Sequence, residues 1–178
     1  MITYQNQKGV GLVEVLVALL LLAVGVLGYS ILQIRAVDAS SEALSRSQGM
    51  LILRSLAENM RANPIAQTNY PAAVRGFTNI TSTPTTPRPS CSNSIYTPPQ
   101  MANFDAFMAA RSAFEIGMNI TMTDCPGVSS APIPRQCLFI AWGNTTLSAT
   151  STTANVTNCM STTGVYLNGS NCLMMEAY

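Results

Sequence analysis

From Val15 to Ile34 the chain carries no charge over 20 residues, and at 1.5 Å per residue a helix of that length covers about 30 Å, the thickness of a hydrocarbon core. The run is longer than the apolar region of about 7 to 15 residues in a cleaved secretory signal, and it continues into Tyr29-Ser30-Ile31-Leu32 rather than into a small-residue cut site. After Arg35 the pattern changes without breaking. Val37, Leu44 and Leu51 recur at seven-residue spacing, followed by Leu53, Leu56, Ala57 and Met60 at three- and four-residue spacing. Between them stand Asp38, Ser41, Glu42, Ser45, Arg46, Gln48, Arg54, Glu58 and Arg61. The spacing predicts one helix from Val10 to Arg61, whose apolar stripe leaves the bilayer and becomes a core face. Such a helix of 52 residues is roughly 80 Å long. The first proline is Pro64, and Asn63-Pro64 ends the helix because proline disfavours a helical residue before it.

Beyond Pro64 the periodicity is shorter and more varied. Residues 78–100, with TSTPTTPRPS and TPPQ, read as a Pro/Thr-rich surface loop. A second helix is expected from Asn103, as cap, to Gly117, with Phe107, Met108, Ala110 and Phe114 at helical spacing. Strands are expected at Asn119–Thr123, Cys137–Gly143 and Cys172–Ala177, with Val165–Leu167 leading into a turn at Asn168-Gly169-Ser170. The fold class is therefore α+β, a long N-terminal helix joined to a head in which a helix packs on a small antiparallel sheet. The organisation that follows is a membrane half of the helix at 10–35, a core-packing half at 36–63 and a globular head at 64–178.

Composition sharpens this picture. With 48% hydrophobic and only 10% charged residues over a length of 178, part of the chain is expected in lipid. Nine basic residues stand against eight acids, with no histidine, so there is no patch of the kind that tracks phosphates, and nucleic acid is not expected as a partner. A DNA-binding role would need a cluster of basic residues on the head, where Arg75, Arg88, Arg111 and Arg135 are scattered. All five cysteines follow the apolar run, in Thr-, Asn- and Pro-rich sequence, which fits an oxidising, extracytoplasmic compartment. Proximity in sequence pairs Cys125 with Cys137 and Cys159 with Cys172, and leaves Cys91 as the odd one. There is no Cys-x-x-Cys motif and no histidine, so neither a metal nor another cofactor is expected. Asp105, Glu115, Asp124 and Glu176 stand singly, with no base and no phosphate-binding loop beside them, so no enzyme is expected.

Glu14 remains to be explained. A carboxylate at the edge of the apolar run is costly unless paired, and an acid in that position is a functional hypothesis by default. The residues around it, Gly9-Val10-Gly11-Leu12-Val13-Glu14-Val15-Leu16-Val17-Ala18, resemble the class III signal of type IV pilins and pseudopilins. The resemblance implies that a prepilin peptidase cuts between Gly9 and Val10, removing a leader of residues 1–9. It further implies that Val10 becomes the N-methylated first residue and that Glu14, then fifth, forms an assembly charge pair with a terminal ammonium. The first mature residue of this family is usually Phe, so Val10 departs from the pattern. EVLVALLLLAVGVLG and LAENMRANP resemble, more narrowly, the PilV group of minor pilins. That likeness implies a type IV pilin fold and a single pass through the inner membrane with the head in the periplasm, followed by transfer to the pilus at the cell surface. It also implies a place in a priming or tip complex with other minor pilins, the major pilin and a large tip adhesin, supporting assembly, adhesion and twitching motility. A type II secretion pseudopilin shares the same anchor and is the alternative; a DNA-uptake pilin is the second.

Overall fold

The computed structural model describes residues 9, 11–85, 95–128 and 135–178; Val10 and Cys91 lie outside them. In chain order the elements are helix α1 (Leu12–Ala62), a 3-10 turn (Pro64–Asn69), helices α2 (Tyr70–Arg75) and α3 (Pro98–Glu115), and strands β1 (Met118–Asp124), β2 (Gln136–Trp142), β3 (Ser148–Ala149), β4 (Ala154–Asn155) and β5 (Cys172–Glu176). A long N-terminal helix and a small antiparallel sheet make the fold α+β, in keeping with a type IV pilin fold. The chain divides into two compact units, Met1–Ala43 and Leu44–Tyr178.

In the first unit α1 carries the apolar run, and its side chains from Leu12 to Ser41 are exposed. Ser30 does not interrupt it, because its hydroxyl donates back to the Val26 carbonyl at 2.9 Å. Ser40 does the same to Ala36 at 2.8 Å. A hydroxyl satisfied by its own helix makes little demand on the surrounding medium.

In the second unit, α1 turns one narrow face inward: Gly49, Leu53, Leu56, Ala57 and Met60 are its buried residues. The expected stripe is corrected here. Val37, Leu44 and Leu51 are exposed, at 67%, 59% and 64%. Nine residues separate Leu44 from Leu53, which at 100° per residue puts them about 180° apart; the two apolar lines lie on opposite faces. Gly49 is where the sheet comes closest: a Cβ there would stand 3.2 Å from Ile140 Cγ2 and 3.6 Å from Leu173 Cδ1.

β2 is the centre of an antiparallel sheet of order β1-β2-β5. It pairs Ile120 with Ile140 on one side and Leu173 with Ile140 on the other. It reads as a continuous apolar run because both its faces are covered. Leu138, Ile140 and Trp142 face the core shared with α1 and α3, which includes Leu53, Tyr70 and Ala106. Cys137, Phe139 and Ala141 face a second, smaller core with Leu147, Val156 and Met160.

α3 differs from the expected helix at its start. Thr97, not Asn103, is the cap, and Pro98-Pro99 fill the first turn, where no backbone N–H is needed. The Gln100 side chain reaches back to accept the Thr97 N–H at 2.9 Å. TPPQ is thus a helix start rather than the tail of a loop. At the other end Gly117 takes φ +74° and donates its N–H to Phe114, closing the helix before β1. The 3-10 turn, α2 and the two-residue pair β3-β4 have no counterpart in the periodicity, being too short to show one.

Candidate functional site

The N-terminal segment is built by the start of α1. The Gly11 carbonyl accepts the N–H groups of Glu14 at 2.9 Å and Val15 at 3.3 Å, so the helix begins directly after Gly11. Glu14 falls in the first turn, where the helix dipole favours a negative charge, and it is exposed. At Gly9 and Gly11, on either side of Val10, a Cβ would meet open space beyond the adjoining chain. The helix that follows is long and apolar enough to cross a membrane, with a mean hydropathy of 2.7 in its most apolar window and none of that window buried.

The far side of the sheet is stapled by two disulfides. Cys125 is bonded to Cys137, across the connection between β1 and β2, and Cys159 to Cys172, which ties the long connection after β4 to the start of β5. The two loops also meet through backbone. Gly127 donates its N–H to the Thr162 carbonyl at 2.9 Å, and a Cβ on Gly127 would stand 2.6 Å from the Thr163 oxygen. Within the second staple Met160 bridges Tyr166, and Gly169, at φ +78°, forms the turn before β5. Val165, Tyr166 and Leu167 stand exposed at its tip. The Tyr166 hydroxyl accepts the Met174 N–H at 2.9 Å, so it occupies a position on the free edge of β5.

The polar centre of the head went unnoticed in the sequence, where Asp105 reads as one of several isolated acids. It is buried on the inner face of α3 among Ala102, Ala106 and Ala109. The Tyr70 hydroxyl, itself on a fully buried side chain, donates to Asp105 Oδ2 at 2.5 Å. Asn63 Nδ2 donates to the Pro98 carbonyl at 2.8 Å and lies 3.4 Å from the Tyr70 hydroxyl. The end of α1, the start of α2 and α3 are thereby pinned together by hydrogen bonds. Burial pushes the Asp105 carboxyl above its ordinary range, and the Tyr70 hydrogen bond pulls it partly back. Burial and then the Asp105 carboxylate push the Tyr70 phenol up as well. A signal was present: Ala102, Asp105, Ala106 and Ala109 follow the three- and four-residue spacing of a single face, so an acid stands in an alanine stripe.

Among the described residues, the head arginines Arg75, Arg111 and Arg135 each engage a separate partner. Arg111 is 2.9 Å from Glu115 and Arg135 is 3.4 Å from Glu176. Arg75 reaches the Met122 carbonyl at 3.4 Å, and Arg88 lies outside the described residues. On α1, Glu58 takes Arg61 as its partner at 2.8 Å. Among the described residues no three His, Cys, Asp or Glu side chains gather in a way that could hold a metal.

Two family models match the chain. Residues 4–30 match the prokaryotic N-terminal methylation motif, and residues 31–107 match the model described as type IV pilin Tt1218. No curated protein and no solved structure matches significantly. The two segments adjoin. Together they run from residue 4 through α1, the 3-10 turn and α2 into α3, as far as the face that holds Asp105.

Proposed function

Taking the chain as a member of the type IV pilin-like family, and so a pilin or pseudopilin subunit, we propose that it is a minor pilin of the PilV kind, acting in the priming or tip complex of a type IV pilus. In this reading a prepilin peptidase removes residues 1–9 and Val10 is N-methylated. Residues 10–35 hold the chain in the inner membrane and later in the filament, 36–63 carry the head, and 64–178 form it. Other minor pilins, the major pilin and a large tip adhesin are its partners, and adhesion and twitching motility depend on it.

The observation that carries the reading is the coincidence at one place of Gly9, Val10, Glu14 and the start of α1 directly after Gly11. Cleavage after Gly9 leaves an ammonium four residues before Glu14. On an apolar helix a lone carboxylate is costly, whereas one paired with an ammonium, of its own chain or a neighbour's, is tolerated at low dielectric. Dipole stabilisation of a first-turn acid, about 0.3 to 1 kcal/mol, favours Glu14 where it stands but gives no reason for Gly9 and Lys8 before the cut.

The experiment compares Glu14→Ala and Glu14→Gln with the unaltered chain, measuring the ratio of protein in sheared surface fibres to protein in the inner membrane at matched expression. Both variants should insert normally and be depleted from fibres, because both lack the charge. Unchanged ratios would show that Glu14 is only a well-placed first-turn acid. A chain never found in sheared fibres, yet needed for export of folded proteins, would be a secretion pseudopilin.

A further inference from the structure

Between α1 and α3 the head carries an open groove of about 300 Å³, and its chemistry is uneven. Ile52 and Met108 give it apolar walls, Ser55, Asn59 and Ser112 give it hydrogen-bonding groups, and Asp105 lies along it. Asp105 is only 8% exposed. One carboxylate oxygen takes the Tyr70 hydroxyl, and among the described residues no basic side chain pairs with the group. A carboxylate withdrawn from water without a counter-charge is unfavourable. Here Asp105 lines a groove with apolar walls at Ile52 and Met108 and polar groups at Ser55, Asn59 and Ser112.

We propose that this groove receives an arginine or lysine side chain from a neighbouring pilin-like subunit, with Asp105 as its counter-ion. The aliphatic stem of such a residue lies along Ile52 and Met108, and its charged end meets the free side of the carboxylate. Tyr70 acts as a positioning residue that fixes the Asp105 rotamer. A hydrophobic knob would fill the volume but leave the acid uncompensated, which is why charge selects the occupant. The inference rests on the chain being an assembled subunit.

The test uses the full-length chain in its own cells, with a benzophenone amino acid placed at Ser112, on the groove, and separately at the exposed Thr152 as a control. Ser112 should cross-link to another protein bearing a class III signal, through a peptide that contains arginine or lysine. Asp105→Asn keeps the acceptor for Tyr70 and so the fold, checked by thermal unfolding. It should lower the Ser112 cross-link about tenfold or more, the scale expected for losing one member of a buried charge pair. Tyr70→Phe, which retains the carboxylate, should keep much of it, and a partner carrying aspartate at the linked basic residue should recover it with Asp105→Lys. No Ser112 cross-link, a linked peptide without a basic residue, or a yield unchanged by Asp105→Asn would overturn the proposal. If the protein still enters sheared fibres in that case, the groove assignment alone fails; if it enters neither fibres nor any cross-link, the subunit reading fails with it.

Discussion

Asp105 and Tyr70 show how one residue pair orders a small head. The acid is buried, so the folded state holds its proton more tightly than the unfolded chain does. Stability from this group is therefore fully present below the ordinary aspartate pKa, about 3.9, and is lost as pH rises through the raised folded value. Unfolding of the full chain in detergent, followed by urea titration at several pH values, should show a component that weakens across that window; Asp105→Asn should flatten it. An identical slope in the variant would place the effect elsewhere. Tyr70→Phe removes the donor and leaves the acid buried, and should cost about 1 to 3 kcal/mol.

Among the elements, the extent of α1 is legible in the sequence and its buried face is not. Its extent followed from the uncharged run and from Pro64, features that depend on local chemistry alone. Its faces did not, because Val37, Leu44 and Leu51 form as good an apolar line as Leu53, Leu56 and Met60, and only the position of the sheet decides which line is buried. Gly49 records that position: the sheet reaches α1 where there is no side chain. Gly49→Val should press on Ile140 and destabilise the head by about 1 to 3 kcal/mol, measured by thermal unfolding. A neutral result would mean that α1 and the sheet stand farther apart. The three main strands were legible because β2 is apolar from Cys137 to Trp142 and β1 and β5 are bounded by turns. The start of α3 was not, since Thr97-Pro98-Pro99 favours a loop by composition and becomes a helix start only through its Gln100 contact. The alanine stripe marks Asp105 as inward-facing, but its partner Tyr70 is 35 positions away in sequence, so the pairing itself lies beyond the reach of a local pattern. The disulfides act on the other layer. Their sequence separations are 12 and 13, so opening either by Cys→Ser replacement of both partners should cost about 3 kcal/mol in the chain-entropy model. The loss should fall first on the small core around Phe139 and Leu147, seen as faster hydrogen exchange there than at Leu53.

For the whole molecule, the proposed function divides labour along the chain. On that reading, the N-terminal segment would carry the address and the charge used in assembly, the apolar half of α1 the part that lives without water, and the head the surfaces offered to other subunits. No part of this scheme requires catalysis, so its consequences are covalent and positional: what is cut, what is methylated and where the product is found. The central claim is that the chain is processed as a pilin between Gly9 and Val10. It is tested most directly by mass spectrometry of the intact protein recovered from cells. The expected product begins at N-methylated Val10, with residues 1–9 absent. A functional protein that still began at Met1, or one cut at any other bond, would contradict it.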